Sequence, residues 1–260
     1  MRKWLVGLLM TAAVIALSLI PKEVAGQVSS TGIARTRDGH PDLSGIWQVM
    51  NTAAWDVEPH IAQPGVPAGV GVIEGDQIPY TPAALAKKKD NYKNRATLDP
   101  ESKCFLPGVP RAMYMPFQFQ IVQTPTLVTF LFEYAHAVRS VFMNTPHPPG
   151  HIDWWMGDSR GKWERDALVI DVTDFSEETW FDRAGNFHTD GLHVIERLLP
   201  IDPDHINYEA TIEDPKVFTR SWKMRMLLYR HKESNVRLLE YECYSFDSDA
   251  EEIYRRIHTP

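Results

Sequence analysis

The amino-acid sequence predicts a mainly β fold, an antiparallel sheet closed into a barrel or folded into a sandwich, with one helix near residues 81–95 and long loops. Three observations predict it. Beyond residue 117, β-branched and aromatic residues recur in short runs. Turn-forming clusters separate many of the runs, at Thr124-Pro125, Asp158-Ser159-Arg160-Gly161, Asp202-Pro203-Asp204 and Lys232-Glu233-Ser234-Asn235. No helical segments alternate with these runs, which disfavours a parallel α/β sheet.

The chain opens on the basic Met1-Arg2-Lys3, continues through an apolar run from Trp4 to Ile20, and reaches Pro21 and the small residues Val24, Ala25 and Gly26. This is the pattern of a secretory signal peptide over residues 1–26. The run is shorter than the ~20 residues that span a bilayer comfortably, and an uncleaved anchor is the alternative. Residues 27–41 are polar without periodicity and read as a flexible arm; residues 42–260 read as one β-rich domain. A first strand is expected within Pro41–Met50. Residues 59–79 carry Pro59, Pro64, Pro67 and Pro79 among four glycines and form a long loop. Thr81-Pro82 supplies an N-cap and a first-turn proline for the helix, whose residues from Ala83 to Arg95 are strong helix formers. A second loop runs from Asp99 to Pro116. Strands then follow near residues 118–123, 126–132, 137–143, 162–171, 193–200, 206–213, 221–229 and 238–246.

The formal net charge is −7, and loss of residues 1–26, with Arg2, Lys3, Lys22 and Glu23, makes it −9. Nucleic acid is therefore not an expected partner, since phosphate binding wants a basic face and only Lys87-Lys88-Lys89 forms a basic run. A periplasmic or secreted location is expected, with no membrane contact after cleavage. The oligomeric state is left open. Cys104 and Cys243 are the only cysteines; a disulfide, which an oxidising compartment permits, and two buried thiols are both open readings.

Charged residues inside the strand pattern are the candidate chemistry. Glu133 and Arg139 flank a turn in Leu131–Arg139, and Glu196 and Arg197 point to opposite faces of one strand, so at least one charge faces inward. An inward Glu196 needs a cation such as Arg139 or else becomes a raised-pKa acid. Two loop groups hold histidines, His147 with His151 and His188 with His193. They could bind a divalent metal, although neither spacing matches a specific metal motif. A proton-transfer histidine acting with Glu133 or Glu196 needs no cofactor. Glu133, His188 and Glu196 are thus the candidate catalytic residues. Arg111 and Arg139 are the candidate partners of a substrate carboxylate or oxyanion, and Trp155 and Trp222 the candidate pocket walls. G-x-S-x-G, G-x-x-x-x-G-K-[ST] and G-x-G-x-x-G do not occur, which disfavours serine-hydrolase, P-loop and Rossmann chemistry.

The segments Pro41–Trp47, Leu98–Arg111, Gly161–Phe175 and Ala210–Pro215 resemble a large family of exported bacterial proteins. That resemblance covers nearly all of the mature chain and implies export and one intact domain, but no mechanism. Gly45-Ile46-Trp47 also resembles the Gly-x-Trp element that opens the first strand of lipocalins, which implies an antiparallel calycin-like barrel with an internal ligand cavity. The long loop before residue 81 and its helix depart from that plan. The expected function is an exported enzyme without an organic cofactor that hydrolyses, eliminates or isomerises a small organic substrate in a barrel pocket. The alternatives are a lipocalin-like binding protein for an apolar or aromatic ligand, and a metal-binding protein using the loop histidines.

Overall fold

The computed structural model describes residues 32–150 and 152–243. The expected signal peptide at 1–26, the start of the arm, His151 and residues 244–260 lie outside the described residues. Nine strands close into one barrel in chain order: β1 (Gly45–Val49), β2 (Phe119–Gln123), β3 (Leu127–Phe132), β4 (Val138–Met143), β5 (Asp158–Glu164), β6 (Ala167–Thr173), β7 (His193–Asp202), β8 (His205–Glu213) and β9 (Trp222–Arg230). Alternate residues turn inward, as a sheet with one face in the core requires. In β3 these are Val128, Phe130 and Phe132, in β8 Ile206, Tyr208, Ala210 and Ile212, and in β9 Trp222, Met224, Met226 and Leu228. The helix also forms where its cap predicts it: α1 (Pro82–Lys93) starts with Thr81 Oγ1 accepting from the Ala84 N–H at 3.3 Å, and α2 (Arg95–Leu98) follows.

Strand β1 pairs with both β2 and β9 and so shuts the barrel. Gly45 has φ +143°, and any side chain there would collide with the Arg230 guanidinium. The glycine thus makes room for Arg230 to lie 4.1 Å over the Trp47 ring.

Several expectations are corrected. The run at 162–171 is not one strand but a hairpin, β5 and β6, that turns at Arg165, a non-glycine residue with φ +58°. The expected turn at Asp158–Gly161 lies inside β5. Gly161 is there because a Cβ would come within 2.7 Å of Val141 and Met143 on β4, a close approach rather than a bend. The barrel is mixed: β4 and β5 pair in parallel from Val141↔Ser159 to Met143↔Gly161, and all other neighbours are antiparallel. A parallel pair needs a crossover, and the chain between β4 and β5 supplies it. The described part of the strand expected at 238–246 is an irregular strap in which Tyr241 bridges to Tyr134. The described part of the arm is no free tether: Ile33 is buried, and Arg35 grips both carboxylate oxygens of Asp166 at 2.8 Å.

Apart from the β4–β5 crossover, which runs from one end of the barrel to the other, the topology gathers the long connections at one end. Strands β1, β3, β6 and β8 finish there and β2, β4, β5, β7 and β9 begin there, so residues 50–118, 133–137, 174–192 and 214–221 all cap that end. Tyr114 donates from its hydroxyl to the Phe181 carbonyl at 2.8 Å, and Phe181 and Phe218 both pack on Trp222, sealing the mouth. The strap after β9 returns to the same end, where Cys243 is joined to Cys104 across 139 residues.

Candidate functional site

A cleft of about 590 Å³ opens among these capping segments, between the 55–66 loop, the end of α1 with α2, the 99–102 turn, Arg183 and the strap at Tyr241 and Cys243. Its floor is polar. Asp56 lies on the wall, and its Oδ1 accepts from the Glu58 N–H at 3.0 Å and from Asn186 Nδ2 at 3.3 Å. The same Asn186 Nδ2 donates to Asp182 at 2.6 Å, so one amide bridges two carboxyl groups. Asp182 is fully buried behind the wall and also accepts from the Val57, Ala184 and Asn186 backbone N–H groups. Burial raises the Asp56 carboxyl above its ordinary value. Burial, with the neighbouring Asp56 charge, pushes Asp182 up to about 7 against the hydrogen bonds it receives.

His60 stands on the same wall, fixed by a reciprocal backbone pair with Gly69 at 2.9 Å. Its Nδ1 faces the Glu58 carbonyl at 2.8 Å and so carries the proton, which leaves Nε2 as an acceptor. Nε2 is buried and has no hydrogen-bond partner among the described residues. Across the cleft, Arg183 holds Glu101 through Nε at 2.7 Å and Nη2 at 2.5 Å and lies 4.9 Å over the Trp55 ring. Burial works against ionisation of Glu101, but Arg183 and Arg111 outweigh it and hold this carboxyl below its usual value.

The residues expected from sequence are dispersed around this end of the barrel and within it. Arg111 comes nearest the cleft. It is buried directly behind the wall, held by Asp99 at 2.9 and 3.2 Å and by Glu101 at 2.6 Å, and so fixes the two acids rather than facing a ligand. Arg139 and Glu196 form a buried ion pair inside the barrel, with Tyr208 donating to Glu196 at 2.8 Å. The lumen is therefore not a purely apolar cavity of the kind the lipocalin likeness implies. Glu133 is buried against the strap and accepts from the Leu239 N–H at 3.2 Å.

His188 is buried in the cap between Thr179 Oγ1 at 2.7 Å and the Thr189 carbonyl at 2.9 Å, and burial lowers its pKa to about 4. Trp222 is core, and Trp155 packs edge-on to Phe105 at 5.0 Å beside a different cleft. His147 and His193 approach the same Asp171 oxygen on the outer wall, at 3.4 and 2.9 Å, whereas His188 is buried in the cap. Among the described residues no group of three or more His, Cys, Asp and Glu side chains is arranged to hold a metal ion.

Asp56, His60, Asp182 and Arg183 were not singled out by sequence reasoning. The available signal was Asp182 itself, a carboxylate set between Trp180-Phe181 and Ala184 with Asn186 four residues on, where an exposed loop would carry fewer aromatics. No protein-family model matches the chain, and the search of curated proteins finds no match.

Proposed function

We propose that the chain is an exported enzyme that hydrolyses, eliminates or isomerises a small organic substrate by acid–base chemistry in the loop-end cleft. The arrangement Asp56–Asn186–Asp182 carries this reading. Two carboxyl groups share one amide donor, Asp182 pushed up to about 7 and Asp56 raised by burial, the kind of perturbed pair that marks acid–base sites. Asp56 faces the cleft and takes the proton, from a water in hydrolysis or from carbon in elimination and isomerisation. Asp182 touches no substrate and acts as a positioning residue, because it fixes Asn186 and the Val57 N–H beside Asp56.

His60 lines the same cleft beside Asp56. Arg183 commits Nε and Nη2 to Glu101 and keeps Nη1 for a developing oxyanion. The disulfide supports the exported location, since such bonds persist outside the reducing cytosol.

The test is a screen of carboxylic esters, lactones, glycosides and β-hydroxy acids against the oxidised protein and its Asp56→Asn variant. Turnover that falls about 100-fold or more in the variant is expected for a lost general base. Full turnover in Asp56→Asn would overturn the assignment.

A further inference from the structure

The parallel pairing of β4 and β5 leaves a feature that the acid–base cleft does not use. The two strands pair only over Val141–Met143 and Ser159–Gly161. Upstream of that ladder the chain enters β5 from the crossover, so Val138 and Arg139 lie beyond the start of β5 on this side. A cleft of about 370 Å³ opens in the gap, walled by Trp154, Trp155, Phe142, Met156 and Leu106. Trp154 is 48% exposed and Phe142 44%, large apolar faces left in water around a concavity.

The floor of this cleft is polar and buried. Arg139 and Ser159 line it at 2% and 1% exposure. Ser159 Oγ accepts from Arg139 Nε at 3.0 Å, and its own O–H has no acceptor among the described residues. Arg139 gives one N–H from each terminal nitrogen to Glu196, so two of its five N–H groups have no acceptor there. Leaving a buried donor unmade costs about 1–3 kcal/mol, which an oxygen atom placed in the cleft would relieve.

We infer that this cleft is a second ligand site, for a small planar aromatic molecule carrying a carboxylate or carbonyl oxygen. The ring lies among Trp154, Trp155 and Phe142, and the oxygen accepts from Ser159 and Arg139. Because Glu196 already neutralises Arg139, recognition rests on the free donors and the aromatic walls rather than on net charge. The site stands apart from Asp56 and serves either a bound effector or a carried molecule.

The experiment is calorimetric titration of the folded, oxidised protein with 2-naphthoate. Saturable binding at one site is expected, weakened about tenfold by Trp154→Ala through the lost ring contact and about fivefold by Ser159→Ala through the lost hydrogen bond. Asp56→Asn, in the other cleft, is expected to bind unchanged. Trp154 is half exposed, so its variant keeps the fold and the test stands even if Ser159→Ala disturbs Arg139. Absence of saturable binding, binding indifferent to Trp154→Ala, or binding lost in Asp56→Asn would each overturn the site.

Discussion

Arg139 on β4 and Glu196 on β7 meet inside the barrel, with the guanidinium Nη1 3.1 Å from Glu196 Oε1 and Nη2 paired with Oε2. Both side chains are out of water, and Phe130 lies 5.4 Å from the guanidinium carbon. Coulomb attraction in such a place is offset by the cost of desolvating two charges, so the pair fixes the packing more than it adds stability. Breaking it is another matter. Glu196→Gln or Arg139→Met alone leaves a buried charge without its partner, and a loss of about 3–5 kcal/mol is expected. The double variant Arg139→Met/Glu196→Leu is expected to recover most of that loss. Urea unfolding of the three variants checks it, and single variants as mild as the double one would contradict the account.

Asp182 makes stability depend on pH in the direction opposite to a salt-bridged carboxylate. Its folded value of about 7 lies above the unfolded value near 3.9, so the folded state holds the proton more tightly. The contribution is fully present below the unfolded value and is lost as pH rises toward 7. Part of the shift comes from the Asp56 charge, which Asp56→Asn removes. The variant is therefore expected to show a smaller loss that is complete at lower pH, read from urea midpoints between pH 4 and 8. An unchanged profile would mean that the two carboxyl groups do not sense each other.

Period-2 alternation made β2, β3, β4, β7, β8 and β9 legible, because one face of each lies in the core. The same rule turns at least one of Glu196 and Arg197 inward and makes Arg139 one possible partner for an inward Glu196. What it could not show was where that pair would stand: Glu196 is held by Arg139 and Tyr208 inside the barrel, away from the loop-end cleft. The β5–β6 hairpin was hidden because Arg165 makes its turn with no glycine or asparagine, and Gly161 marks a close strand approach that reads like a turn. The cleft was illegible for a different reason. Asp56, Glu101, Asp182 and Arg183 come from two irregular segments with no periodicity, and only the closure of the barrel brings them to one end.

The Cys104–Cys243 bond ties the strap to the turn that carries Glu101. Along the strap, Tyr241 packs on Phe117 at 4.5 Å and on Tyr134 at 5.5 Å, and the Leu239 N–H reaches Glu133. Glu242 also pairs with His136 at 2.8 Å, and the crosslink adds a covalent tie to these contacts. Removing it with the paired Cys104→Ser/Cys243→Ser change is expected to cost about 2–5 kcal/mol. Limited proteolysis is expected to cut first within residues 231–243, earlier than in the oxidised protein. Equal protease resistance of the two forms would show that the aromatic contacts suffice.

His188 is expected to give the acid limb of the stability profile. Its ring is buried among Phe175 and Phe181, and its nitrogens are matched to the Thr189 carbonyl and the Thr179 hydroxyl, an arrangement that suits the neutral imidazole. Burial lowers the folded value to about 4, below the ~6.5 of an exposed histidine. Above 6.5 neither state is charged and the neutral ring contributes fully. As pH falls from there toward 4 the unfolded chain takes up a proton that the folded one refuses, and about 3 kcal/mol is lost. This runs against the Asp182 trend over the same range, so the wild-type profile is flatter than either alone. His188→Gln keeps a donor and an acceptor but does not titrate, and in it stability is expected to rise as pH falls from 7 to 4.5. A profile in the variant that matches the wild type would mean that His188 is protonated in the folded state.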